Sequence, residues 1–167
     1  PFCATLSGLL SDAVQAVLLE GRRLHRGGTY LCMQGPAFST KAESELYRSW
    51  GCDVIGMTNH TEARLAREAE IAYATLAMVT DYDCWHTDHD AVSVDMVIAN
   101  LQANAAATGP ILKGVMEALK ADRPESPAHS ALADALMTRP ETVPAATREA
   151  LDLFTSPYWG AFRNPAG

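Results

Sequence analysis

The spacing of apolar residues divides the first half of the chain into alternating helices and strands. Residues 6–18 carry apolar side chains at helical spacing, which predicts an amphipathic helix with one buried face. The short apolar run at 29–34 lies between glycines and predicts a strand, and residues 53–57 predict a second strand. The run at 71–79 is almost wholly apolar, which predicts a strand buried on both faces.

More polar stretches between these runs predict the connecting helices. Thr40 and Glu43 have the spacing of a capping box, which opens a helix that extends to about Trp50. Residues 62–70 predict a charged amphipathic helix. The resulting order over residues 29–80 is strand, helix, strand, helix, strand, and it indicates an α/β sheet with helices packed on it.

The second half of the chain is predicted to be helical. One helix is expected over residues 93–105 and another over 111–119, with Gly109 and Pro110 as the break between them. Shorter helical patterns occur near 129–137 and 145–154.

Composition and charge exclude several classes of protein. The chain has 167 residues, 48% of them hydrophobic and 20% charged, which is typical of a globular domain and not of a disordered chain. The formal net charge of −7 argues against a surface that neutralises nucleic-acid phosphates. Polar residues interrupt every apolar run before it could span a bilayer. We therefore expect neither nucleic acid nor a membrane as a partner.

The cysteines indicate a reducing compartment. Cys3, Cys32, Cys52 and Cys84 form no C-x-x-C pair, and each has apolar or aromatic neighbours. We expect buried, reduced thiols in a cytoplasmic protein.

The first candidate site is the junction between the strand at 29–34 and the capped helix. Ligands of open α/β sheets bind at such junctions. Phe38 offers a flat face for stacking an aromatic ligand, and Ser39 and Thr40 offer hydroxyl groups. The alternative is a helix cap beside a core phenylalanine.

The second candidate site follows the apolar run at 71–79. Asp81 and Asp83 place two carboxylates beside what should be a dry core, a setting that suits acid–base catalysis. A calcium site is a weaker interpretation, because the glycine and distal glutamate of a calcium-binding hand loop are missing. A solvated turn is the other alternative.

The third candidate site lies at the end of the strand at 53–57. The hydroxyl of Thr58 and the amides of a following helix start could hold an anion such as phosphate. Met57 could equally be core packing, and His60 a surface group. Parallel strands would bring all three candidate sites to one edge of the sheet.

A metal site is not expected. His86 and His89, with Asp88 and Asp90, imitate a ligand set, but the segment is loop-like and no matching pair occurs elsewhere.

Four motifs in order resemble the methylthioadenosine phosphorylases, in the trimeric branch of the purine nucleoside phosphorylase superfamily. The motifs are residues 35–44, 50–58, 62–70 and 77–85, and the resemblance runs from about residue 1 to about residue 119. It implies an α/β fold of the purine nucleoside phosphorylase type, a mixed sheet flanked by helices in three layers.

The resemblance also implies an activity. A pentosyltransferase of this family converts 5'-methylthioadenosine and phosphate to adenine and 5-methylthioribose 1-phosphate, in purine and methionine salvage. It uses no cofactor, because inorganic phosphate is a co-substrate, and it works as a homotrimer. The alternatives are an oxopurine or methylthioinosine phosphorylase, and a non-catalytic purine-binding remnant that lacks the phosphate loop.

The two aspartates match the family's residues for catalysis at the base. Asp81 corresponds to the carboxylic acid that shares or donates a proton to the imidazole ring of the departing purine. Asp83 corresponds to the partner of the exocyclic amine, which favours adenine over hypoxanthine. A protonated Asp81 needs a desolvated setting, which the apolar run before it is expected to supply.

Other family roles fall on matching positions. Phe38 corresponds to the residue that stacks on the purine, and Ser39 to a hydroxyl that assists at the base. Met57 packs against the ribose in the family, and Thr58 contacts phosphate. Three small apolar residues fall where the family lines its methylthio pocket: Val94, Val97 and Ile98.

The resemblance aligns Pro1 with the middle of a family member. We therefore expect an N-terminal segment of the same polypeptide to precede it. In the family that segment carries a Ser/Thr-rich phosphate loop and an Arg-His pair, and it lends a residue to the neighbouring subunit. Residues 1–122 are expected to form the C-terminal part of the catalytic domain, and residues 123–167 a helical extension of it. Ala37 replaces a usual basic residue, and His60 and Thr61 replace a pattern with proline.

Overall fold

The computed structural model of the protein describes residues 2–18, 20–86 and 94–161. Within these ranges no helix is long and apolar enough to cross a membrane. Most of the described elements are helices. Two short 3₁₀ turns, Pro127–Ser130 and Pro140–Thr142, lie between the last two α-helices. In chain order the main elements are α1 (Ala4–Val17), β1 (Tyr30–Cys32), α2 (Lys41–Ser49), β2 (Val54–Gly56), α3 (Asn59–Glu68), α4 (Val94–Ala121) and α5 (Ala145–Trp159).

The two strands form a parallel pair that confirms the first part of the predicted alternation. Tyr30 lies opposite Val54, and Cys32 lies opposite Gly56. Helix α2 connects the strands, as a parallel pair requires. A Cβ atom on Gly56 would lie 1.7 Å from the Tyr30 hydroxyl oxygen, so the tyrosine leaves no room for any side chain at that position.

The capping box predicted at the start of α2 is confirmed. The Thr40 hydroxyl oxygen accepts a hydrogen bond from the Glu43 N–H at 3.3 Å. The Glu43 carboxylate in turn accepts from the Thr40 N–H at 2.7 Å. These bonds satisfy two backbone N–H groups at a helix end, where intrahelical partners are missing.

The strand predicted over residues 71–79 is wrong. This segment is irregular, and Ile71 and Val79 are each 57% exposed. A strand needs a neighbouring strand for its backbone hydrogen bonds, and the sheet of the described residues contains only β1 and β2. Other groups take that role instead, among them the Cys3 N–H, which donates to the Tyr73 carbonyl at 2.7 Å.

The predicted break at Gly109 and Pro110 is also wrong, because α4 continues through both residues. An internal proline costs a helix about 3 kcal/mol. Packing beyond it compensates, since Ile111 and Val115 are buried in the second half of α4. This half of α4 packs against α1, where Gly114 faces Ala13. The predicted helix start at residue 93 lies outside the described residues.

The tail is attached to the rest of the chain through Glu70, which follows α3. The Glu70 carboxylate accepts hydrogen bonds from the Leu132 N–H at 2.9 Å and from the Tyr158 hydroxyl. The hydrogen bond from Tyr158 lowers the pKa of Glu70, because it favours the charged form. The helix predicted at 145–154 is confirmed as α5. The pattern at 129–137 instead forms the 3₁₀ turn and further turns, so no α-helix forms there.

All four cysteines are free thiols, as expected. Their predicted burial holds only for Cys3, because Cys32 and Cys52 are half-buried and Cys84 is exposed. An apolar sequence neighbourhood therefore does not guarantee burial in this chain.

Candidate active site

The loop after β1 presents Phe38 to solvent. Its side chain is 87% exposed, so it is not a core residue of the described structure. The neighbouring Ser39 is half-buried, and its hydroxyl donates to the Met33 sulfur at 3.5 Å. The alternative interpretation of the first candidate site was a helix cap beside a core phenylalanine. The cap is confirmed, but Phe38 is not in the core.

The end of β2 meets this loop through Met57. The Met57 sulfur lies 2.9 Å from the position that a Cβ atom on Gly35 would occupy, so the two chain segments are in contact. Gly35 has a φ of 64°, a left-handed conformation that glycine adopts readily. The first and third candidate sites are thus adjacent.

Thr58 is exposed and precedes α3, and its side chain makes no capping hydrogen bond there. Helix α3 begins at Asn59, three residues earlier than the sequence predicts. Asn59 is buried, and its side-chain oxygen accepts hydrogen bonds from the hydroxyls of Tyr73 and Thr75 at 3.0 and 2.7 Å. These bonds join the start of α3 to the irregular segment.

Residues 80–84, which we call the acid turn, are mostly irregular in backbone and are bent by hydrogen bonds to the Asp81 side chain. The Asp81 carboxylate accepts from the Thr80 hydroxyl at 2.8 Å and from the Asp83 N–H at 2.9 Å. Asp83 has a φ of 62°, a conformation that costs a non-glycine residue about 1–2 kcal/mol. The bond from its N–H to Asp81 supports this conformation in the manner of an Asx turn.

Both aspartates are half-buried, so the acid turn is neither fully solvated nor dry. The apolar run that was expected to desolvate Asp81 is itself exposed at Val79. The described residues therefore do not supply the desolvation expected from a doubly buried strand, because residues 71–79 have no neighbouring strand there to pair with.

Two contacts join the acid turn to the loop after β1. The Ser44 hydroxyl donates a hydrogen bond to Asp83 Oδ2. The Cys84 thiol donates to the Ser39 carbonyl oxygen at 3.6 Å. The structure thus brings Phe38, Met57 and the aspartates into one connected region. The sequence reasoning gave Ser44 no role, although a serine on the inner face of a capped helix was a signal for a buried polar contact.

Two side chains of helix α4 donate hydrogen bonds to the backbone at the start of the acid turn. The side-chain amides of Asn100 and Asn104 donate to the carbonyls of Thr80 and Val79 at 2.7 and 3.1 Å. The three residues predicted for a methylthio pocket lie on the preceding turns of this helix. Val94 and Ile98 are 74% and 46% exposed, and Val97 is half-buried.

A cavity of about 390 Å³ lies elsewhere, beside β1 and the start of α3. It contains His60 of the third candidate site but neither aspartate, and so it does not mark the region that Asp81 and Asp83 occupy. Its lining residues are Phe2, Tyr30, Leu31, Cys32, Asn59, His60 and Ala63.

No group of three or more potential metal ligands occurs among the described residues. Asp88, His89 and Asp90 of the rejected metal template lie outside them.

Comparison with known proteins identifies the family. The phosphorylase superfamily matches residues 1–117. The S-methyl-5'-thioadenosine phosphorylase of Prochlorococcus marinus is 59% identical over 162 residues, which is 97% of this chain and 52% of that protein. The enzyme of the same name from Gloeobacter violaceus is 56% identical, over 95% of this chain and 53% of that protein. The resemblance found in the sequence motifs is confirmed.

Solved structures agree. A methylthioadenosine phosphorylase from an antarctic soil metagenomic library superposes with a TM-score of 0.86 at 44% identity, covering 92% of this chain and 54% of that one. Methylthioadenosine phosphorylase from Schistosoma mansoni in complex with adenine superposes with a TM-score of 0.64 at 30% identity, covering 73% of this chain and 47% of that one. The chain spans about half the length of the curated relatives it matches. It shares their purine nucleoside phosphorylase-like fold, and it belongs to the phosphorylase superfamily.

Proposed function

We propose that the polypeptide containing this chain is a pentosyltransferase that converts 5'-methylthioadenosine and phosphate to adenine and 5-methylthioribose 1-phosphate. The observation that carries this proposal is the 59% identity, across 97% of the chain, to a protein named S-methyl-5'-thioadenosine phosphorylase. The contacts that unite the loop after β1, the end of β2 and the acid turn support it, because they bring together side chains suited to a base, a sugar and an anion.

The acid turn serves the departing base. The bond between the ribose carbon and the purine nitrogen breaks, and a phosphate oxygen forms the new bond to that carbon. Negative charge accumulates on the purine, and a proton shared with Asp81 at the imidazole ring neutralises it. General acid assistance of this kind typically contributes about two to four powers of ten in rate. Asp83 accepts a hydrogen bond from the exocyclic amine.

The remaining side chains hold the substrate. Exposed Phe38 stacks on the purine, with Ser39 beside it, and Met57 packs against the ribose. The Thr58 hydroxyl, together with the first amides of α3, contacts phosphate. Three apolar residues of α4 receive the methylthio group: Val94, Val97 and Ile98.

An N-terminal segment completes both the sheet and the phosphate site in this proposal. Such a segment would supply the first strands and so form the mixed sheet of a three-layer fold. Residues 1–122 belong to the catalytic domain, and residues 123–167 extend it. The functional assembly is a homotrimer with purine nucleoside and phosphate as substrates.

The test measures adenine release by the full-length polypeptide that contains this chain. With methylthioadenosine as substrate, we expect adenine only when phosphate is present, together with one equivalent of 5-methylthioribose 1-phosphate. Adenine release without phosphate would indicate a nucleosidase and overturn the proposal. Preference for methylthioinosine would indicate an oxopurine enzyme, and adenine binding without turnover would indicate a non-catalytic purine-binding protein.

A further inference from the structure

Ser44 is a buried polar residue that the functional proposal leaves without a role. It lies on α2 and is only 2% exposed. Its hydroxyl has a single proton, which it donates to Asp83 Oδ2. The Cys84 sulfur lies 3.5 Å from the same hydroxyl oxygen. Because Ser44 is enclosed, these neighbours and not solvent determine its orientation.

Asp83 is held at two points. Its N–H donates to Asp81 at 2.9 Å, which keeps its backbone in the left-handed conformation. Its Oδ2 accepts from Ser44. With the backbone and Oδ2 fixed in this way, the direction of the other carboxylate oxygen, Oδ1, is fixed as well.

The same face of helix α2 makes a second contact, with Trp85 directly after the acid turn. Arg48 follows Ser44 by one helical turn, and its guanidinium carbon lies 3.5 Å from the centre of the Trp85 ring. The capping box fixes the start of this helix. The helix is therefore a firm support for the acid turn.

We propose that Ser44 is a positioning residue that orients the Asp83 carboxylate and thereby sets the preference for an aminopurine over an oxopurine. An oriented carboxylate oxygen accepts a hydrogen bond from the exocyclic amine of an aminopurine. In an oxopurine it faces the exocyclic oxygen, and the two acceptors repel each other. If the carboxylate rotates freely, both effects weaken. The inference rests on the proposed function, because it concerns the base pocket of that reaction.

The first experiment compares two substrates in the full-length polypeptide. Ser44→Ala should lower kcat/KM for methylthioadenosine about 10- to 100-fold, since a hydrogen bond to a charged group is lost. It should change kcat/KM for methylthioinosine less than about threefold. Ser49→Ala is the matched control on the same helix, because the Ser49 hydroxyl donates only to the Leu46 carbonyl, and it should leave both values unchanged. An equal fall for both substrates, or an unchanged ratio, overturns the proposal.

Further variants separate orientation from folding. In an Asp83→Ala background, Ser44→Ala should cause no additional loss of selectivity. Ser44→Thr keeps the hydroxyl and should retain the preference. If Ser44→Ala fails to fold, Ser44→Cys replaces it, because a thiol of similar size donates only weakly.

Calorimetric binding of adenine and hypoxanthine distinguishes the two proposals. If the wild type binds adenine without phosphorolysis, the proposed function fails, and the effect of Ser44→Ala on the ratio of the two affinities decides the role of Ser44. If the wild type binds neither base, both proposals are overturned. If the wild type turns over methylthioadenosine and Ser44→Ala behaves like Ser49→Ala, only the inference about Ser44 fails.

Discussion

Residues 29–63 and residues 70–86 show two different ways of holding a chain in place. The first region is stabilised by groups close together in sequence, such as the Thr40 capping box and the bond from the Thr29 N–H to Asp53 at 2.7 Å. The second region is held by distant groups, including Cys3, Asn100 and Tyr158. Local patterns therefore predict the first region well and the second poorly.

The candidate active site lies where these two regions meet. Phe38 and Met57 come from the first region and the aspartates from the second, and Ser44 joins them by its bond to Asp83. Asp81 in the second region should therefore affect chemistry most strongly, while Gly56 and Thr40 in the first region should affect stability.

The largest expected effect follows from Asp81→Asn. An amide cannot supply the acidic proton, so kcat for methylthioadenosine should fall about 10²- to 10⁴-fold in the full-length polypeptide. Far-UV circular dichroism should remain that of the wild type. Asp134→Asn, at an exposed position in the tail, is the control. Turnover near the wild-type value would show that Asp81 is not the acid.

Gly56→Ala should destabilise the first region by about 2–3 kcal/mol. The new Cβ would lie 1.7 Å from the Tyr30 hydroxyl oxygen, so the ring must move away from β2. Denaturant unfolding measures the loss. Gly109→Ala is the matched control, because a Cβ there meets nothing within 4 Å, and its helical position should gain stability or stay neutral. Equal behaviour of the two variants would refute the steric explanation.

Thr40→Ala should cost about 1 kcal/mol, the usual effect of losing a helix N-cap. The loss should appear in denaturant unfolding, and Thr40→Ser should restore most of the stability because it keeps the hydroxyl. A variant as stable as the wild type would mean that α2 is held from outside and not by its own cap, which would remove the contrast between the regions.

The smallest effect concerns acid pH and Glu70. The hydrogen bond from Tyr158 lowers the pKa of Glu70 below its ordinary value of 4.5, so the folded state favours the carboxylate. Its stabilisation is therefore present above pH 4.5 and is lost as the pH falls through the lowered pKa. Glu70→Gln should lower Tm slightly at pH 7, and the difference should shrink in acid. Glu68→Gln, at an exposed neighbouring position, is the control variant.

Several local features of the candidate site were predictable because they carry strong signals in the sequence. The turn at Gly35, the cap at Thr40 and the paired aspartates can all be recognised in short windows of sequence. Ser44 could not be assigned a partner in this way, because Asp83 is 39 residues away. Its role depends on how α2 packs against the acid turn.

Local sequence signals predict β1, α2, β2 and most of α3, because glycine breaks, a capping box and amphipathic spacing act over a few residues. Contacts between distant parts of the chain determine that residues 71–79 do not form a strand and that α4 continues through Pro110. A strand requires backbone partners from elsewhere in the chain, and a helix containing proline requires packing energy from another helix. Neither requirement is visible in the local pattern, because both are met by residues far away along the chain.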